Sequence, residues 1–416
     1  MLRCFDFSIA VLIAVFVLII TRRIGKIRLQ IWQIMLGGAA AVILSGSISP
    51  ENAFKSINAD VMLFLTGMFV IGEALHKSGY LTHLSYHLFR RARSVDGLVL
   101  MVLYSMGLLS AFLMNDTLAV IGPPLMLFFA DNHRINPRLL LLALAYAITI
   151  GSVCSPIGNP QNLLVALGGG IGNPFLTFFR YLLLPSLINL FITYLILKLF
   201  YREHFHDQTL RHMREPIKDK NLARLSRLSL LAVVALVGIK IMGFFLGSNW
   251  NFSLTHIALI SAAPLLLFSR RRFQILKNID WATLTFFAAM FVLMAAVWGS
   301  GFFQGIIVLL KINLSSPAMI LSLSVVISQF ISNVPFVALF LPLLQHINAG
   351  ATSMMALAAG STIAGNLTLI GAASNVIILQ GAEKRGQSIS FWEFFRIGLP
   401  LTIVNLLVYW FFLVVV

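Results

Sequence analysis

Two apolar stretches, 97–130 and 317–345, are interrupted midway, by Asn115-Asp116-Thr117 and by Ser332-Asn333-Val334-Pro335. Each is followed by another apolar stretch carrying its own polar break. The first break holds Ser152, Ser155, Pro156, Gly158, Asn159, Pro160 and Asn162; the second holds Gly365, Asn366, Thr368, Gly371, Ser374 and Asn375. Amide and hydroxyl side chains offer neutral oxygens to a desolvated cation and N–H or O–H donors to an anion. Pro156 and Pro160 remove amide donors and the glycines weaken the helix. The segment 139–167 is therefore expected as a broken helix, with 353–380 as its counterpart. Freed carbonyls at such a break suit a cation, and half-helix N-termini suit an anion.

The residues expected to bind substrate or ion are Asn115, Asp116, Thr117, Ser155, Pro156, Gly158, Asn159, Asn162, Ser332, Asn333, Asn366, Thr368, Gly371, Ser374 and Asn375. A single Asn or Thr in a span most often makes an interhelical hydrogen bond. Four polar clusters at corresponding places point further, to a shared site. Replacing Asn162 or Asn375 is expected to abolish activity with little effect on folding. Asp116 is the one acidic residue at either tip, since its counterpart is Val334. It reads either as a cation ligand or proton carrier, or as a tie holding the hairpin down. The chain has no His-Glu-x-x-His or Gly-x-Ser-x-Gly pattern and no acidic pair at catalytic spacing, so no enzyme and no catalytic residue is expected. Cys4 and Cys154 suggest neither a disulfide framework nor a metal site, and no cofactor is expected beyond Na+ or H+ as a coupling ion.

Positioning these residues requires a membrane. With 59% hydrophobic and 11% charged residues, and a mean hydropathy of +0.92, the chain cannot hide its apolar surface in a soluble core. The net charge of +16 would suggest nucleic acid in a soluble protein. Here Lys and Arg fall between apolar runs, so they read as topology signals and no nucleic-acid partner is expected. Apolar runs appear near 5–20, 30–48, 60–76, 139–167, 181–200, 229–247, 254–269, 281–298, 353–380 and 398–416. The interrupted stretches 97–130 and 317–345 read as re-entrant hairpins. With both termini outside, only Arg3, Lys55, Arg180, Lys240 and Lys311 fall away from the inner side. A full span in place of either hairpin would destroy that bias. The chain is thus expected as a multi-pass protein of the cell inner membrane.

The halves repeat each other. Ser110, Phe112, Asn115, Pro124 and Leu125 match Ser328, Phe330, Asn333, Pro342 and Leu343 with their internal spacing preserved. Ser78-Gly79 matches Ser300-Gly301, and Thr149-Ile150, Ile157-Gly158 and Asn162 match Thr362-Ile363, Ile370-Gly371 and Asn375. Shared apolar composition would not align polar and helix-breaking residues in the same order. Each half has five spans and one hairpin, and an odd number of spans inverts the second half. The expected fold is an all-α polytopic membrane protein of two inverted repeats, 1–200 and 229–416, joined by a basic cytoplasmic linker at 201–228. Inverted repeats with a midplane site are the plan of secondary transporters.

The paired motifs, with Ser155-Pro156-Ile157-Gly158-Asn159-Pro160-Gln161-Asn162 and Gly365-Asn366-Leu367-Thr368 through Asn375, resemble the ion transporter superfamily over essentially the whole chain. The chain is most similar to its citrate transporter and arsenite permease families, and more distantly to divalent anion/sodium symporters. The resemblance implies scaffold and transport regions, elevator-like movement, frequent homodimers, and hairpin tips and breaks framing Na+ sites and a shared anion site. Where those symporters carry Ser-Asn-Thr at both tips, this chain has Asn-Asp-Thr and Ser-Asn-Val-Pro. The expected function is ion-coupled transport of a small anion, a carboxylate or inorganic oxyanion, by alternating access. A sodium/proton antiporter and an arsenite exporter are alternatives on the same fold. No arginine lies at either motif, which favours a small, modestly charged substrate.

Overall fold

The structure, a computed structural model, describes residues 7–415 apart from 22, 25, 26, 81, 82, 84–91, 93, 206–216, 246–252, 303–315, 332, 370 and 384. Ser332 of the expected site thus lies outside the described residues.

The first half runs α1 (Phe7–Thr21), α2 (Ile31–Leu44), a short α3 (Pro50–Ser56) and α4 (Ala59–Ser78). A hairpin follows, α5 (Val95–Phe112) and α6 (Asn115–His133), then a broken helix, α7 (Pro137–Val153) and α8 (Pro160–Gly168). Next, α9 (Pro174–Phe178) continues through a π-turn at Phe179–Leu183 into α10 (Leu184–Phe200). The second half repeats that order. It runs α11 (Lys220–Phe245), α12 (Leu254–Phe268), short α13 (Arg272–Asn278) and α14 (Trp281–Gly299). The hairpin α15 (Pro317–Ile331) and α16 (Asn333–His346), the broken helix α17 (Ala351–Ile363) and α18 (Ala373–Glu383), and α19 (Phe391–Trp410) complete it. The chain is an all-α polytopic membrane protein of two inverted repeats, each with a re-entrant hairpin and a broken helix. Among the described residues, six helices are long and apolar enough to cross a membrane.

Local chemistry sets the boundaries. Asn136, Asn159 and Asn173 each precede a proline, and each side chain accepts a backbone N–H at the start of the helix that follows. Proline is at ease in the first helical position and Asn is among the best caps. The matched Ser78-Gly79 and Ser300-Gly301 pairs end α4 and α14 alike. Gly79 and Gly301 both have φ of 72°, and the preceding serines donate to Leu75 and Val297 carbonyls.

One boundary differs from expectation. Helix α11 begins at Lys220, not near 229. Asp219 caps it by accepting from Asn221 and Leu222 N–H, and its carboxylate pairs with Arg271 at 3.2 Å. The backbone N–H of Lys218 donates to Ser78 O, so the end of the basic linker is bound to the end of α4.

Packing divides the helices into two groups. In one, α4 packs on α12, α2 on α14, and α11 on both α4 and α12. In the other, α5 packs on α7 and α15 on α17, with α10 against α19. The returning arm of each hairpin packs against the other repeat's post-break helix, α6 on α18 and α16 on α8. The second group is therefore interlocked from both halves, and its contacts with the first group are sparse.

Candidate functional site

The break between α7 and α8 is closed by one side chain. Asn162 Nδ2 donates to the carbonyls of Ser152 (3.1 Å), Val153 (3.1 Å) and Ser155 (3.0 Å) at the interruption, where Ser152 O also accepts from Ser155 N–H and Ser155 O from Gly158 N–H. Its counterpart does the same in the second break, where Asn375 Nδ2 donates to Gly365 O (2.6 Å) and Thr368 O (3.4 Å). Gly158 is required by close approach, because a Cβ there would meet the Ser152 backbone.

The two breaks touch each other. Thr362 Oγ1 on α17 accepts from Asn159 Nδ2 (3.2 Å) and Gln161 Nε2 (3.3 Å), and donates to Asn162 Oδ1 (3.2 Å). Asn159 Nδ2 also reaches Ser152 Oγ at 3.0 Å. Each hairpin is bonded to its own break, through Asn115 N–H donating to Gly158 O at 2.9 Å and Gln329 Nε2 donating to Ala364 O at 2.7 Å. Thr368 Oγ1 donates to Gln329 Oε1. Thr117 packs against Gly72 of α4 so closely that a Cβ on Gly72 would collide with it.

A cavity of about 730 Å³ lies where the two helix groups meet. The interlocked group contributes Asn115, Asp116, Pro160, Gln161, Asn333, Val334, Pro335 and the start of α18 from Ala372 to Gln380. The other group contributes the end of α1, Gln30 to Trp32 at the start of α2, and Asp280, Ala282, Thr283, Phe286 and Phe287 at the start of α14. Helices α6, α8, α16 and α18 all begin at this cavity. A helix N-terminus carries roughly half a positive charge, although at α6 the Asn115 N–H is bonded to Gly158 O and at α8 the Asn162 N–H to Asn159 Oδ1. Among the described lining residues there is no Lys, Arg or His, and the acidic ones are Asp116 and Asp280.

Of the expected residues, Asn115, Asp116, Asn333 and Ser374 line the cavity. Pro156, Ser155, Gly158, Asn159, Asn162, Asn366, Thr368, Gly371 and Asn375 form the breaks behind it, and Thr117 faces α4. Sequence reasoning missed Thr362, Gln161, Gln329 and Asp280. Thr362 and Gln161 stood inside matched segments and could have been found there. Asp280 has no such mark, because its place beside the hairpin tips depends on two distant helices meeting.

Residues 16–354 match the family described as citrate transporter. The chain belongs to the citrate transporter family. An uncharacterised transporter of Mycobacterium tuberculosis is 30% identical to this family member, over 96% of this chain and 95% of the relative. The P protein of Homo sapiens is 25% identical across 95% of the chain, which spans 58% of that longer protein. Among solved structures, the YdaH transporter of Alcanivorax borkumensis superposes with a TM-score of 0.60 at 16% identity, covering 98% of this chain and 96% of that one. That likeness carries the fold. This citrate transporter family member is a multi-pass membrane transporter rather than an enzyme.

Proposed function

We propose that the protein is an ion-coupled secondary transporter that moves a small anion across the cytoplasmic membrane by alternating access. The observation that carries this reading is the convergence of four helix N-termini on one cavity that has no basic side chain among its described lining residues. Backbone dipoles attract an anion without a fixed counter-ion that would hold it too tightly to release. The same absence favours a carboxylate or oxyanion of low charge over trivalent citrate. The neutral oxygens of Asn115, Asn333 and Ser374, with the Asp116 carboxylate, supply ligands for a coupling cation. Sparse contact between the two helix groups supports movement of the interlocked group, with its site, against the other.

The side of entry follows from charge. The lining segments 29–32 and 280–287 adjoin the basic loops, so this conformation is read as open to the cytoplasm.

A second reading, a cation/proton antiporter, is favoured by one observation, the presence of Asp116 and Asp280 as the two acidic groups of the cavity. Uptake of labelled dicarboxylates, citrate, phosphate, sulfate and arsenite into proteoliposomes, with and without an inward Na+ gradient, separates the two. Gradient-stimulated uptake of one anion supports the first. Na+/H+ exchange with no anion entry replaces it with the second.

A further inference from the structure

Asp280 carries a charge that its structural role does not need. Its carboxylate caps α14, accepting from Thr283 N–H at 2.9 Å and Thr283 Oγ1 at 2.6 Å. The repeat-related cap of α4 is Asn58, which accepts from Val61 N–H at 3.1 Å. Asn caps a helix about as well as Asp, so a neutral amide would suffice at position 280. The extra charge belongs to the lining of the cavity that Asp116 also lines. Two carboxylates in one cavity with no described Lys, Arg or His repel each other unless a proton or a cation neutralises part of that charge.

Three further oxygens belong to the same cavity. Asn115 Oδ1, Asn333 Oδ1 and Ser374 Oγ have no hydrogen-bond partner, and their residues are only 6%, 5% and 1% exposed. Two carboxylates and three neutral oxygens lining one cavity are hard-oxygen donors, the kind that select alkali and alkaline-earth cations over transition metals.

We infer that Asp280 completes a Na+ site across the cavity from Asp116, one that exists only while the hairpin tips face the start of α14. The tips move with the interlocked group, whereas Asp280 belongs to the other group. In the opposite conformation, the repeat-related position would offer the neutral Asn58 instead. The site therefore makes Na+ occupancy stabilise one end of the transport cycle, and Asp280 acts as a positioning residue for the ion. This rests on the transporter reading for its role in the cycle, but the site itself can be tested by binding alone.

The test is thermal unfolding of the purified full chain in nanodiscs at fixed pH and ionic strength, with NaCl replacing choline chloride. In the wild type, Na+ should raise the melting temperature with a measurable midpoint concentration. Asp280→Asn should leave the melting temperature in choline no lower than that of the wild type, since the cap is kept and a repulsion is removed, and move the Na+ midpoint up about tenfold or more. Asp280→Glu should recover part of the response, and Asn58→Asp should leave the midpoint where it was. If Asp280→Asn does not fold, Asp280→Ser reads the same quantity. An unchanged midpoint in the neutral variant, no Na+ response in the wild type, or a response to acid but not to Na+ overturns the inference. Anion uptake into proteoliposomes is read separately: flux without the Na+ shift sinks this site alone, and the shift without flux sinks the anion-transport reading alone.

Discussion

Thr362 Oγ1 donates to Asn162 Oδ1 at 3.2 Å, and through this bond a helix of the second repeat meets the side chain that closes the break of the first. The same hydroxyl accepts from Asn159 and Gln161, so three buried groups of the first repeat depend on it. Its counterpart, Thr149, bonds only to the Ala145 carbonyl of its own helix. Thr362→Val should therefore destabilise the protein by about 1–3 kcal/mol for each buried polar group left unpaired, and Thr149→Val by much less. Melting temperatures of the two purified variants check this, and equal losses would remove the inter-repeat role of Thr362.

Asn162 is expected to matter for folding as well as for transport. Its amide nitrogen bonds three carbonyls of the break, of which Ser152 O and Ser155 O keep backbone donors without it, so Asn162→Ala should lower stability by about 1–3 kcal/mol. Sequence alone suggested a ligand with little structural weight. A monodisperse Asn162→Ala protein with wild-type melting and no transport would restore that simpler view.

A hairpin arm and the second break each rest on close backbone contact. A Cβ on Gly151 would collide with Gly107 of α5, and one on Gly398 with the Asn366 carbonyl, whereas Gly238 has nothing near it. Gly151→Ala and Gly398→Ala should each cost at least about 1–3 kcal/mol as overpacking, and Gly238→Ala should be neutral or slightly stabilising. Fluorescence-detected size exclusion after a heating series ranks the three.

Side of access can be read chemically. Cys154 is buried, so with Cys4 replaced by Ser the background of thiol labelling should be low. A cysteine at Ala282, in the cavity lining, should react with a membrane-impermeant maleimide in inside-out vesicles and stay unreactive in right-side-out ones. A cysteine at the exposed Asn58 should show the reverse. The opposite pattern would invert the assigned topology.

Asp116→Asn keeps the size of the side chain at the start of α6 and removes its charge. Transport by this variant should lose its dependence on the coupling-cation gradient and retain, at most, slow equilibration of the substrate. Parallel uptake measurements with and without the gradient distinguish that result from full gradient-driven accumulation, which would return Asp116 to the role of a hairpin tie.

Much of this architecture was legible along the chain. The hairpin tips, the breaks, the matched Ser-Gly helix ends and the repeat order each depend on local rules: prolines lack an N–H, Asn and Ser cap helices, glycine tolerates positive φ, and an apolar run of sufficient length needs lipid. Such rules act within a few residues, so a sequence carries them openly. The sequence also singled out these asparagines, but not what each one touches. Asn162 and Asn375 turn their amides to the carbonyls of their own breaks, while Asn115 and Asn333 leave an oxygen at the cavity. That division is set by which side chain meets a freed carbonyl and which meets open space, a matter of three-dimensional placement. Thr362 beside Asn162, and Asp280 across from Asp116, were beyond reach for the same reason. These pairs lie far apart in the chain, and only the interlocking of two inverted repeats against a separate helix group brings them together.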